Sequence, residues 1–325
     1  MAMKSARMEA GVSRRPGFNL IEKVRFEMKS LQAPIVFKAH ESHIIDVAFT
    51  PDSRFLLSAG MDNMIQQWSV ADWSLVQAYE GHEKSVNSVC LTSEGSRFVT
   101  ASSDKSLFLW ELGSGEPIEK LAIKGSSAWL SGGDRYLAAV EGAWLTVMDF
   151  NAREILSRYK PFPKRTTSLA FSPDEKWLAV GGQGDDIRIF NLPSCEPVHE
   201  IALAHEGFVL SLAFSPDGKY LASTGYEQKL RLWEPGEWDR VGEIQLEKQG
   251  VQSLSFSPNG DGVAVASDHT LTLVAVEPAF VAQAVTLDPK GVYCLAFSPD
   301  GNWLACGSAD KRIRLWKVVP SFFED

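Results

Sequence analysis

The feature that most constrains this chain is a unit that returns about every 42 residues. Marked by the strand that ends in an aromatic or large apolar residue, it recurs at Trp68, Trp110, Met148, Phe190, Trp233, Val274 and Trp316, at spacings of 42, 38, 42, 43, 41 and 42. Each unit reads alike. In the fifth, the alternating stretch VLSLAF (Val209–Phe214) leads through a turn to KYLAST (219–224), and a second turn leads to KLRLW (Lys229–Trp233). Period-two alternation interrupted by turn residues about every eight to twelve positions is the pattern of short antiparallel strands. A fourth, outer stretch follows in most units, as in LVQAYEG from Leu75 and PVHEIAL from Pro197. Four strands in such a period predict one propeller blade, so seven units predict an all-β, seven-bladed β-propeller.

The turns carry their own signature. FSPDGKYLAS (214–223) has relatives in FTPDSRFLLS from Phe49, FSPDEKWLAV from Phe171, FSPNGDGVAV from Phe256 and FSPDGNWLAC from Phe297. Ser215 beside Asp217 invites a reactive-site reading, yet the proline presets φ, the aspartate bonds nearby backbone and Gly218 accepts a left-handed conformation. The stretch is read as punctuation between two strands. Ring closure is also legible: the last unit stops at IRLWKVV from Ile313, whereas PIVFKAH (34–40) precedes the first unit as an outer strand. Pairing of the two would close the ring and lock both ends.

Composition agrees with one large domain. The chain has 325 residues, 45% hydrophobic and 10% aromatic with ten Trp, enough to fill the space between many small sheets. There is no apolar run of the ~18 residues that a membrane-spanning helix requires. Cys90, Cys195, Cys294 and Cys306 show no metal spacing, so reduced, buried thiols are expected, with Cys294 and Cys306 as possible cross-strand neighbours. Residues 1–34 carry seven Lys or Arg against Glu9, Glu22 and Glu27, a balance of +4 that leaves −13 for the body of a chain whose net charge is −9. No apolar segment follows the basic residues, so no secretory signal is read and a cytoplasmic address is expected. The domain reading is a basic extension over 1–33, a propeller over 34–319 and a tail over 320–325. In the extension, 21–31 fits a strand or a helix equally.

The chain resembles the WD-repeat family, and the resemblance rests on particular residues. Gly81-His82 matches the dipeptide that opens a repeat, and Asp62, Asp104 and Asp310 each stand six residues before Trp68, Trp110 and Trp316. The closing Asp of the family's name is missing, replaced by Ser69, Glu111, Glu234 and Lys317. The resemblance covers about residues 34–319 and implies a buried polar network in which His40, Ser58 and Asp62 join Trp68, and His82, Thr100 and Asp104 join Trp110. His205, Ser223 and Glu227 keep part of it before Trp233; the third, fourth and sixth units lack the histidine. These are also the ingredients of a hydrolase triad. However, Ser58 lies in a strand reading FLLSAG and the set recurs in register, so the expectation is structural: polar groups satisfied inside repeat packing. GGQGDD (181–186) lacks the Lys and helix of a phosphate loop and is read as a hairpin loop. The third unit is the most degenerate.

A propeller's strands are rigid and its loops vary, so function is sought in the loops. The resemblance implies that the channel-mouth face binds peptides or protein segments. Its rim would include Ile45, Asn87, Thr167, Leu210, Gln252 and Tyr293, with Met61, Ser103 and Tyr226. That apolar and aromatic mixture suits a protein interface. The expected function is a non-enzymatic scaffold holding a protein or peptide partner within a multiprotein complex, without cofactor or metal. The alternative is a nucleic-acid or ribonucleoprotein adaptor using the basic extension, opposed by the acidic body. An enzyme with its site in the channel is a third reading that no convergent acid, base or metal set supports.

Overall fold

The computed structural model describes residues 33–246, 251–267, 270–276, 282–286 and 291–318. These form twenty-eight strands in seven four-stranded antiparallel sheets. Blade 1 shows the plan, with Ile44–Phe49, Phe55–Gly60, Ile65–Ser69 and Leu75–Tyr79 side by side in chain order. Blades 2 to 6 repeat it over 86–120, 127–159, 166–201, 209–245 and 253–286. Blade 7 takes three strands from the end of the chain, Val292–Phe297, Trp303–Ser308 and Arg312–Lys317, and its fourth, Ile35–Lys38, from the start. Ile35 lies opposite Leu315 and Lys38 opposite Arg312, so the N-terminal strand closes the ring as the missing fourth stretch predicts. The extension and the tail fall outside the described residues.

The alternation in the sequence explains where the core sits. First strands of neighbouring blades pack together round the ring, including blade 7 against blade 1. Each sheet is buried on both faces, and successive residues serve different neighbours. Leu57, Ala59 and Ile65 meet Val86, Phe98 and Trp110 of blade 2, whereas Leu56 and Trp68 meet Ala305 and Ile313 of blade 7. Seven apolar clusters result, one per interface. Loosening one blade therefore exposes two of them.

Three of the turns share one geometry. Tyr220 N donates to Ser215 Oγ at 2.9 Å, Ser215 Oγ donates to Asp217 Oδ1 at 2.7 Å, and Lys219 N donates to the same oxygen at 3.1 Å. Gly218 N bonds Ser215 O at 2.9 Å with φ of 72°, the left-handed value that favours glycine. Ser172 with Asp174 and Ser298 with Asp300 repeat the arrangement. The serine is a turn fastener, fully buried.

The cysteine expectation needs correcting. Phe297 pairs with Leu304, which puts Leu295 opposite Cys306 and Cys294 opposite Gly307. Each residue of the first strand pairs one position later than the turn residues suggest, so the two thiols occupy opposite faces, Cys294 toward blade 1 and Cys306 toward blade 6. All four cysteines are free, and burial pushes Cys90 and Cys306 up to about 12 and Cys195 to about 11, which makes them poor nucleophiles. Among the described residues no helix is long and apolar enough to cross a membrane.

Candidate partner-binding face

The polar network occupies three blades. In blade 1, His40 Nδ1 lies 2.9 Å from Asp62 Oδ1, Ser58 Oγ lies 2.8 Å from His40 Nε2, and Trp68 Nε1 donates to Ser58 Oγ at 3.0 Å. Blade 2 repeats it, with His82 to Asp104 at 3.0 Å, His82 to Thr100 at 2.7 Å and Trp110 to Thr100 at 2.8 Å. Blade 5 is complete as well: His205 to Glu227 at 2.8 Å, His205 to Ser223 at 2.7 Å and Trp233 to Ser223 at 2.8 Å. The carboxylates also cap loop amides, with Glu41 N donating to Asp62 and Glu83 N to Asp104. In blades 1 and 5 this crowding requires glycine: a Cβ on Gly60 would sit 2.5 Å from His40 Nδ1, and one on Gly225 would sit 2.3 Å from His205 Nδ1.

Chemically the set has triad geometry without triad access. Ser58, Thr100 and Ser223 have no exposed surface, and each hydroxyl already accepts an indole N–H, so no acyl group can reach it. Burial pushes His82 down and His205 down to about 4 despite their carboxylate partners, so both rings are neutral at pH 7. Burial would raise Asp104, but Ser106, the Glu83 amide and His82 outweigh it and hold the carboxyl well below the usual range. Blade 7 departs from the pattern. Cys306 stands where the hydroxyl would be, and Asp310 is taken by Arg314 Nη2 at 2.6 Å and by Ser308 Oγ at 2.6 Å rather than by a histidine. Trp316 is held by apolar packing against blade 6. In the GGQGDD loop, Asp186 is bonded by Arg188 of its own hairpin.

The rim residues share a backbone device. In five blades the first strand skips a partner at one residue: Ile45, between Ile44 opposite Gly60 and Asp46 opposite Ala59, then Asn87, Thr167, Leu210 and Tyr293 at the same place. Such a bulge re-aims a side chain that the regular pleat would point elsewhere. Gln252 N donates to Ala266 O beside the Ser253–Ala266 pair, and Ser126 N donates to Val140 O beside Ser127–Val140, so blades 3 and 6 hold the same position. Ser126 escaped the sequence reading. It was findable, because it lies four residues before the end of its first strand, as Ile45 does.

A second ring is set by one repeated bond. Met61 N donates to His43 O, Ser103 N to Ser85 O and Tyr226 N to Phe208 O, at 2.8 to 3.0 Å; Gln183 and Ala309 make the same bond and were not singled out in the sequence. Exposure separates these residues. Tyr226 is 68% exposed, edge-on to Phe208 at 6.1 Å, and Met61 is 42% exposed. Tyr293 is half-buried and stacks on His43 at 5.7 Å. Asn87 is tied to Ser126 O at 2.7 Å and Thr167 to Val209 O at 2.5 Å, so both also stitch blades together. Leu210 packs partly into the cluster between blades 5 and 6.

The family described as "WD domain, G-beta repeat" matches residues 32–69, 73–111, 160–191, 195–234, 239–273 and 284–317. The chain belongs to the WD-repeat family. Its members generally serve as non-enzymatic scaffolds for protein interaction. The six matched repeats omit the third unit, which the structure nevertheless builds as a complete blade. Among curated WD-repeat proteins and their relatives, the chain is 29% identical over 157 residues to a zebrafish (Danio rerio) "p21-activated protein kinase-interacting protein 1-like", covering 47% of this chain and 42% of that one. It is 35% identical over 72 residues to an uncharacterized WD repeat-containing protein of Schizosaccharomyces pombe, covering 22% of this chain and 18% of the other. The chain thus spans less than half the length of the curated relatives it matches.

Proposed function

We propose that this protein is a non-enzymatic scaffold that holds a partner protein or peptide on the face where the bulges lie. The observation that supports the reading is the repeated bulge: in five blades it re-aims one variable side chain of the first strand, near exposed Met61, Tyr226 and Phe208. Large rigid aromatics beside amides provide binding area at small entropic cost. The zebrafish relative is named for an interaction with a protein kinase, and only the general property, engagement of another protein, is carried to this chain.

Tyr226 and Tyr293 test the reading better than Leu210, whose truncation would also open an inter-blade cluster. Tagged wild-type protein and the Tyr226→Ala/Tyr293→Ala variant are compared by capture and mass spectrometry. The variant should lose the specific partner with only a modest fall in Tm, because Tyr226 is exposed and Tyr293 is half-buried against His43 at the surface. Undiminished capture would refute the rim assignment.

A further inference from the structure

One end of blade 3 gathers positive charge within the acidic body of the chain. Beside Ser103, Ser126 and Gly142 lies a groove of about 480 Å³ whose walls are Lys105, Trp144 and Arg158. Trp144 is 39% exposed, with the Arg158 guanidinium 4.8 Å and the Lys160 ammonium 4.6 Å from its ring centroid. Strand register explains the concentration. Trp144 pairs with Glu141 at one end of the sheet, and Arg158 and Lys160 reach the same end because Tyr159 lies opposite Leu145. The acids Asp149 and Glu154 pair with each other at the opposite end. Lys164 and Arg165 follow on the exposed connection that passes Gly142, where Thr166 N donates to Gly142 O at 3.2 Å.

Glu141 is the carboxylate of the groove itself. The Lys105 ammonium, 2.7 Å away, with Arg158 and Lys124 beyond, holds its carboxyl below the usual range. One carboxylate among Lys105, Lys124, Arg158 and Lys160 leaves a positive surplus in a chain of net charge −9. We propose that this groove receives an extended Asp/Glu-rich segment of a partner protein, its carboxylates meeting the Lys105 ammonium and the Arg158 and Lys160 cations held over the Trp144 indole. The inference rests on the reading of this face as the partner-binding face, because Ser103 and Ser126 belong to both. Charge complementarity selects the occupant. A nucleic acid fits less well: the indole face it would stack on already carries two cations, and the acidic body repels a phosphate backbone. A phosphorylated side chain prefers free cations converging on one point, whereas Lys105 is engaged by Glu141 and Arg158 and Lys160 lie over the indole.

The test is fluorescence anisotropy with a fluorescein-labelled peptide of alternating Asp and Glu, a Ser/Gly peptide of equal length, the acidic peptide carrying one phosphoserine, and oligo-dT. Full-length protein should bind the acidic peptide and not the neutral one, with affinity falling as salt rises. The Arg158→Glu/Lys160→Glu variant should bind about tenfold or more weakly, and Lys160→Glu alone should show a smaller loss with an unchanged Tm. No binding by wild type, binding insensitive to both variants, or tighter binding of the phosphopeptide or oligo-dT overturns the proposal. If peptide binding is absent while partner capture still depends on Tyr226 and Tyr293, this inference fails and the scaffold reading stands. If the peptide binds and capture ignores those tyrosines, the reverse holds.

Discussion

Blades 2 and 3 are neighbours that reach the same sheet by different chemistry. Five residues before the bulge, blade 2 has His82 and blade 3 has Leu121; opposite the first strand, blade 2 has Thr100 and blade 3 has Ala139; at the marker position they have Trp110 and Met148. Blade 2 also inserts a loop that carries Asp104, where blade 3 turns in two residues between Glu141 and Trp144. In blade 2 the polar set ties outer loop to inner sheet. In blade 3 Leu121, Ala139 and Met148 fill the same space as part of an apolar cluster with blade 2. The network is therefore one way to fill a slot that the repeat creates, and the side chains that fill this slot in blade 3 have no polar group to leave unpaired.

That difference can be broken most sharply at Asp104. Its carboxylate receives His82, Glu83 N, Ser106 N and the Ser106 hydroxyl, and its side chain is 9% exposed. Asp104→Ala strands several buried donors at once and should cost about 3 kcal/mol, measured as a shift in denaturant midpoint. The corresponding slot of blade 3, filled by Leu121, Ala139 and Met148, holds no such acceptor to remove. A loss below about 0.5 kcal/mol would mean that the network is incidental to blade 2.

Acid should distinguish the two kinds of blade next. Burial pushes the folded His205 down to about 4, against 6.5 for a free imidazole, so the unfolded chain takes up the proton first as pH falls. Its contribution to stability is full above pH 6.5 and is lost progressively toward pH 4, on the order of 3 kcal/mol at 1.36 kcal/mol per pH unit. His205→Gln should flatten the stability-against-pH curve in that window. A curve as steep as that of the wild type would assign the acid sensitivity to other groups.

How far the sequence discloses this molecule follows the same division. Strand period, blade count, ring closure and the histidine sets are local or strictly periodic, and the structure has them at the expected residues. Properties that depend on register to within one residue were harder. Cys294 and Cys306 came out on opposite faces because the six residues 298–303, rather than the tight turn alone, set the pairing. Ser126 was hidden because its strand lacks the aromatic end, and Gln183 because it lies in a loop read only for phosphate chemistry. Trp144, Arg158 and Lys160 lie on two strands whose adjacency no motif announces. The bond of Arg231 to Glu243 likewise depends on geometry across strands.

The smallest expected effect sharpens the comparison at the two sides of blade 2. On one side Val89 N donates to Asp46 Oδ2 of blade 1 at 2.9 Å; on the other, Ala128 N of blade 3 donates to Ser88 Oγ at 2.9 Å. Blades 4 and 5 use serine for the same tie, Leu212 N to Ser168 Oγ at 3.0 Å. A hydroxyl therefore suffices, and the carboxylate brings a charge that burial opposes: Asp46 is raised from 3.8 to about 7, although the Val89 and Val47 amides favour its ionised form. The sign follows from the raised value. The folded chain holds this proton while the unfolded chain has released it, so the stability that Asp46 contributes is full below pH 3.8 and is lost as pH rises through about 7. Asp46→Ser should accordingly stabilise the protein by about 1 kcal/mol at pH 8 and by little at pH 5, read from denaturant midpoints at both values. Equal gains at the two pH values would place the effect in packing rather than charge. A loss at pH 8 would mean that the charged acceptor holds blades 1 and 2 together better than the hydroxyl that joins blades 2 and 3.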